Sequence, residues 1–343
     1  MKFRTEIALC RSGFTVDHGR RGFLAGSCFS EHIFGRLAAT DQMREYFTTV
    51  LRCNLRLAAA KFPVAANPTG ILFNPASIAG MIRRLAEGRP YEVGELSCGG
   101  GLWFSYDHHG SFARASAKEA LEAMNASLTA GAGALAAADY VVLTFGTAWV
   151  YRLADSGRIA ANCHKQPSSC FRRERLSAAE IVREYGELLS GPLAGKQVLL
   201  TVSPVRHVKD GLEGNSLSKA ILRTAAASLA EGFRDVYYFP SFEIMNDDLR
   251  DYRFYEEDMV HPSAQAVDYI WGKFTEFAMD PDTRALLPRL GKLDAALHHR
   301  VLHAGSAAVE VFRECSLKLV DELQEALPGV DFSAERAYFT AGL

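Results

Sequence analysis

The sequence predicts an α/β fold built on a mostly parallel sheet, and three observations carry that reading. Short, continuous apolar runs, among them Phe23 to Ala25, Tyr140 to Thr144 and Gln197 to Val202, give way to glycine, serine or proline within a residue or two. Runs of this length and continuity suit strands buried on both faces. Between them lie helical stretches of ten or more residues, and strands alternating with such helices make βαβ units whose strands run parallel. Polar side chains stand just past several of the runs, where open α/β sheets bind ligands.

The first strand reads as Gly22 to Gly26, ending in Ser27 and Cys28. Gly26 lets the backbone turn sharply and approach a ligand closely, so Ser27 is a candidate nucleophile at a strand end. Small residues after a strand also serve as plain loop or as helix caps, and Ser27 or Ser30 could cap a helix starting near Glu31. From Glu31 to Lys61 the spacing of Phe34, Leu37, Tyr46, Phe47, Val50 and Leu51 reads as mainly helical. Two Asn-Pro pairs then bracket Asn67 to Pro75, and proline holds the residue before it extended, so this is a shaped loop. Gly70 within it either presents a backbone amide to a ligand or turns the chain between helices.

Ala76 to Ala86 follows as a short amphipathic helix, and Gly94 to Gly110, rich in glycine and aromatics, as an irregular loop suited to covering a cleft. Ser116 to Ala138 is one long alanine-rich helix, fraying at Gly131 and Gly133. It leads into the strand Tyr140 to Thr144 and the small residues Gly146 and Thr147. Arg152 to Cys170 reads as a long excursion containing Asn162 and His164, closed by a helix from Ser177 to Leu189 with Glu180 completing a capping box. The strand Gln197 to Val202 places Arg206 and His207 just beyond its end. A helix over Asn215 to Phe233, a short strand Val236 to Phe239 and a helix over Ala264 to Phe277 follow. Before that last helix, Asp258 and His261 are two residues apart, so a carboxylate and an imidazole share one turn, as a base and its orienting partner require.

Composition limits what such a site serves. With 343 residues, 48% of them hydrophobic and a net charge of −2, the chain can bury a full core but shows no basic footprint for nucleic acid or an anionic membrane. The N-terminal stretch lacks the sustained apolar segment of a signal peptide, and no apolar run is long enough to span a membrane. Seven scattered cysteines with no CxxC pair suit reduced thiols in a cytoplasmic protein. Cys163, His164 and Cys170 lack the paired spacing of a metal site, so no metal and no cofactor are expected. Neither GxGxxG nor GxxxxGK[ST] follows a strand, which weighs against nucleotide or phosphate-ester chemistry.

Collinear segments then point to a family. GSCF at Gly26 to Phe29, NPTGILFNPASI at Asn67 to Ile78, TFGTAWVY at Thr144 to Tyr151, NCHKQP at Asn162 to Pro167, SPVRH at Ser203 to His207 and LRDYRFYEEDMVHPS at Leu249 to Ser263 resemble the GSCFA family, a branch of the SGNH (GDSL-like) hydrolases. The resemblance covers roughly residues 20 to 275; Ser30 stands where the name motif ends in alanine. It implies a three-layer, flavodoxin-like, doubly wound domain over residues 1–277 and a helical extension over 278–343. Ser27 would be the nucleophile, His261 the base and Asp258 its orienting acid. The implied activity is an O-acyl esterase or acyltransferase on a small-molecule or glycan ester. The GxND block that supplies an oxyanion asparagine in SGNH enzymes is here Gly146-Thr147-Ala148-Trp149. A donor in such a hole contributes roughly 3 kcal/mol, so replacements are needed. The candidates are the amides of Ser27 and Gly70, then Gly146, Thr147, Asn162, His164, Arg206 and His207. The rival reading, a binding module that keeps the pocket without turnover, draws on the missing asparagine. Beyond Phe277, amphipathic helices around Leu286 to Val301 and Ala307 to Ala326 are expected to pack on the core or to join two subunits.

Overall fold

The computed structural model describes residues 5–9, 13–37, 60–300 and 306–341. Most of the helical stretch expected between Glu31 and Lys61 lies outside the described residues.

Five strands form the central sheet: β1 (Gly22–Gly26), β2 (Val64–Ala66), β5 (Tyr140–Phe145), β9 (Gln197–Val202) and β10 (Val236–Phe239), in the spatial order β2-β1-β5-β9-β10 and all parallel. Renumbered within the sheet this is 2-1-3-4-5, a doubly wound order whose switch point lies between β1 and β5. Consecutive residues of one strand point to opposite faces, and both faces are buried. Phe23, Val141, Leu143 and Leu200 join one core with helices Pro75–Glu87, Ala117–Ala137, Ala178–Ser190 and Gly211–Gly232. Leu24, Val142, Leu199 and Phe239 join the other with helices Cys28–Leu37 and Ala264–Ala278. That is why the strands read as unbroken apolar runs rather than alternating ones.

Several boundaries differ from the sequence reading for local reasons. The first helix begins at Cys28, three residues before Glu31. The helix after β9 starts at Gly211, four residues before Asn215. Ala117–Ala137 runs through Gly131 and Gly133 without interruption, and packing explains it: a side chain at Gly131 would collide with Pro68. The expected irregular aromatic loop contains a small hairpin, β3 (Ser97–Gly99) and β4 (Leu102–Phe104), turned at Gly100 and Gly101 with positive φ. The excursion after β5 is a three-stranded antiparallel sheet of β6 (Trp149–Leu153), β7 (Ile159–Ala160) and β8 (Phe171–Arg175).

Among its described residues the C-terminal region holds three helices, Pro281–Leu297, Ala307–Ala326 and Ser333–Thr340, where two were expected. Their apolar faces close a third cluster of Leu290, Leu293, Val320, Leu323, Phe332 and Phe339, so they pack chiefly on one another rather than on the sheet. Lys61 fastens this cluster to the main domain, with an ion pair to Glu335, a 2.7 Å bond to the Asp331 carbonyl and its ammonium 4.4 Å from the Phe332 ring centre. Among the described residues no helix is long and apolar enough to cross a membrane, no group of side chains could hold a metal ion, and five cysteines are free.

Candidate active site

Ser27 is the first residue past β1 and lies at the switch point. Gly26 has φ 141°, and a Cβ there would run into the Thr144 backbone of β5, so only glycine lets the two strand ends close up. The Ser27 amide donates to the Thr144 carbonyl at 3.1 Å. Its hydroxyl is buried, at 2% exposure, and has no hydrogen-bond partner. The Asn67 to Phe73 loop is stitched over this turn: Asn67 Oδ1 accepts from the Gly26 amide at 3.1 Å, and the Leu72 amide donates to the Gly26 carbonyl at 2.9 Å. Gly146 completes the junction. A Cβ there would stand 3.1 Å from the Ser27 Cβ and 2.7 Å from the Phe73 carbonyl oxygen, so the three segments leave no room for a side chain.

Asp258 and His261 share one hydrogen-bonded turn. Asp258 Oδ1 accepts from the amides of Val260 (2.8 Å) and His261 (2.9 Å), and Oδ2 lies 2.6 Å from His261 Nδ1. Burial alone would raise the Asp258 carboxyl, but the His261 amide and ring and the Val260 amide hold it down at about 2. A carboxylate bonded to Nδ1 keeps the proton there and leaves Nε2 as the acceptor. Met259, between them, sits at φ 58°. The turn is tied to the end of β9, where the Arg206 amide donates to the Val260 carbonyl at 3.1 Å and the Arg206 guanidinium lies 3.8 Å from the Tyr255 ring centre. Both side chains remain about half exposed, and no hydrogen bond joins His261 to Ser27.

Most of the groups weighed as oxyanion donors are engaged within the protein. The Gly70 amide donates to the Asn67 carbonyl at 2.8 Å, and the Gly146 and Thr147 amides both donate to the Phe73 carbonyl, at 2.9 and 2.8 Å. The Thr147 hydroxyl pairs with Ser218 at 3.2 Å and accepts from the Trp149 amide at 3.1 Å. Asn162 Oδ1 accepts from the His164 amide, and the His164 ring stacks on Phe104 with Nε2 2.9 Å from the Ser105 carbonyl. The His207 amide donates to Asn215 Oδ1 at 2.8 Å, and its ring lies 3.0 Å from Asp210. Burial lowers the His207 pKa, against the pull of Asp210.

Three buried ionisable groups lie beside the site, and sequence reasoning missed two of them, Lys219 and Glu31. The Lys219 ammonium donates to the carbonyls of Gly146 and Ser203, both at 2.7 Å, at the ends of β5 and β9. Burial pulls its pKa down to about 7, with the Cys28 thiol opposing. Burial also pushes Glu31 up to about 7, with Asn67 opposing, and its Oε2 has no partner. Cys28, between them, is pushed up to about 11 by burial and Glu31, with Lys219 opposing. A signal for Lys219 was present in the sequence, because it falls on the same helical stripe as Leu222, Ala226 and Leu229.

A cleft of about 450 Å³ lies elsewhere, between helix Pro75–Glu87 and the β6–β7 sheet. Neither Ser27 nor the Asp258–His261 turn lines it; it meets the candidate residues at Thr69, beside Gly70, and at Ala161, beside Asn162. Its arginines are already paired, Arg83 with Glu184, Arg84 with Glu95, Arg152 with Glu174 and Arg158 with Asp107.

Fold and site together define a parallel, doubly wound α/β protein that gathers serine, glycine, lysine and histidine at the carboxyl ends of its strands. The chain belongs to the GSCFA family: the GSCFA family model matches residues 21–274, and the model of the GSCFA domain protein, C-terminal domain, matches residues 290–343. No curated protein matches the chain by sequence.

Proposed function

We propose that this chain is a serine hydrolase of the SGNH type, an O-acyl esterase or acyltransferase that works through an acyl-Ser27 intermediate on a small-molecule or carbohydrate ester in the cytoplasm. The observation that carries the reading is the unpartnered Ser27 hydroxyl at the switch point of a sheet that also presents a bonded Asp258–His261 pair. Ser27 Oγ attacks the ester carbonyl while His261 Nε2 takes the hydroxyl proton, and Asp258 stays ionised and steadies the imidazolium. Collapse of the tetrahedral intermediate breaks the bond to the alcohol, which leaves with the proton from His261. Water or a second hydroxyl then attacks the acyl-enzyme by the same steps, and Ser27 recovers its proton. His261 must swing to Ser27 as substrate binds, a tightening common in sites whose catalytic hydrogen bonds are open without ligand.

The half-exposed His261 and the engaged amides favour one rival, a binding module of the same fold that performs no turnover. A fluorophosphonate probe separates the two. Stoichiometric labelling mapped to Ser27 by mass spectrometry, and lost in Ser27→Ala, supports the hydrolase; a folded chain that takes no label supports the module.

A further inference from the structure

The two faces of the small β6–β8 sheet differ in make-up. The face that borders the cleft pairs Arg152 with Glu174 and carries Arg172, opposite Arg152 in register, in an exposed position. On the other face, register places Trp149 opposite Arg175 and Tyr151 opposite Arg173, and directly opposed residues of an antiparallel pair share a face. The Arg173 guanidinium lies 4.1 Å from the Trp149 ring centre, and Arg175 lies 5.3 Å from the same ring. Lys209, reaching in from the segment after β9, donates to the Tyr151 hydroxyl and sits 5.0 Å from that ring. Asp210 is bonded to Arg173 and faces His207, but neither Arg175 nor Lys209 has a carboxylate partner among the described residues. The Trp149 Nε1 and Arg173 Nε donors are buried and have no acceptor.

This is an array of donors and positive charge with too few acceptors of its own. The rings are covered by cations, so they offer no platform for stacking. They hold the guanidinium groups by their faces; Asp210 takes the terminal N–H groups of Arg173, while Arg175 keeps its edges, with which arginine grips carboxylates and phosphates. The surface rims the candidate site, since Trp149 is three residues past Gly146 and Lys209 is three past Arg206, which bonds the Val260 carbonyl beside His261.

Resting on the reading of Ser27 as an acyl carrier, we infer that the substrate bears an anionic group, a carboxylate or a phosphate, held by Arg175 and Lys209. The group fixes which hydroxyl or ester of the substrate faces Ser27. Such recognition weakens with salt, because both cations are exposed.

Calorimetric titration of the full chain with glucose, glucuronate and glucose 6-phosphate tests this. At least one anionic sugar should bind about tenfold or more tighter than glucose, and which one does so identifies carboxylate or phosphate. That advantage should shrink several-fold between about 50 and about 500 mM salt, and should vanish in the Arg175→Ala/Lys209→Ala double variant. Both substitutions are at exposed positions, and an unchanged melting temperature shows the variant folded. Equal binding of all three sugars, or anion binding that survives the double substitution, overturns the inference. Fluorophosphonate labelling keeps the two readings apart. Anion binding by a chain whose Ser27 takes no label would sink the hydrolase and leave this surface an anion site, whereas labelled Ser27 without anion binding would sink the anionic substrate alone.

Discussion

The two halves of the candidate triad are held in opposite ways. Ser27 is enclosed by long-range contacts: β5 supplies the carbonyl that fixes its amide, the Asn67 loop covers it, and Gly146 makes room for it. Its neighbours come from segments about 40 and about 120 residues further along the chain, so its position depends on the whole sheet. Asp258 and His261 are held by their own turn, through three hydrogen bonds within four residues, and remain half exposed. A nucleophile locked by the fold can face a base held mainly by its own turn, with Arg206 as its tie to the end of β9, if the side chain of the second is free to move to the first. The difference places precision on the serine side and adjustment on the histidine side.

Substitutions break this comparison in order of effect. Ser27→Ala should reduce hydrolysis of short-chain aryl esters by about 10⁴-fold or more, to the background rate, with the melting temperature little changed. Initial rates and a thermal melt check it; retained turnover ends the mechanism. Asp258→Asn should lower kcat by about 10² to 10⁴-fold with KM nearly unchanged, because the ring loses its orienting charge but substrate contacts remain. The same carboxyl sets an acid limit. Because its pKa is depressed in the folded chain, its hold on His261 is complete above the ordinary carboxylate range and fades as pH falls toward 2. Loss of the Asp258–His261 contact well above that range, followed by the histidine ring resonances in NMR, would contradict the geometry.

Smaller effects probe the enclosed side. Glu31 is raised to about 7, so the folded state keeps a proton that the unfolded chain has released, and stability falls as pH rises from the ordinary carboxylate range through 7. Glu31→Gln should remove that fall, worth up to about 3 kcal/mol at roughly 1.4 kcal/mol per pH unit, as read from urea unfolding at acid and alkaline pH. An identical pH slope in the variant would mean that Glu31 is not buried as described. The mildest change is Cys28→Ala. With its thiol pushed up to about 11, only about one molecule in ten thousand carries a thiolate at neutral pH, so iodoacetamide should react slowly and the variant should keep most of its esterase activity. Rapid alkylation with parallel inactivation, prevented by substrate, would make Cys28 the nucleophile instead.

The same contrast explains what could be read from the sequence. β1, β5, β9 and β10 were visible because strands buried on both faces leave continuous apolar runs, and the Asp258–His261 pair because its contact spans three residues. β2 was not, since an edge strand of three half-buried residues beside Pro63 leaves almost no pattern. The β6–β8 sheet was hidden because its strands carry arginines on both faces, which read as solvated loop. Lys219 and Glu31 escaped notice because a charged residue type gives no sign that the fold will bury it; only the helical stripe around Lys219 betrays it. That the Gly146 and Thr147 amides are engaged depends on where the Phe73 carbonyl lands, a tertiary fact with no local signature.

That carbonyl has a consequence for how the site would respond to a ligand. Two successive amides, Gly146 and Thr147, converge on the Phe73 oxygen at 2.9 and 2.8 Å, close to the Ser27 side chain. A paired cradle of this kind is what a negatively charged oxygen seeks, and here the chain's own peptide occupies it. An incoming acyl oxygen at that spot would therefore act as a competitor, exchanging one acceptor for another while the number of hydrogen bonds stays constant. The cost of entry would be set by how readily the Asn67 to Phe73 segment lifts, so substitutions that stiffen that segment should slow acylation without touching the triad.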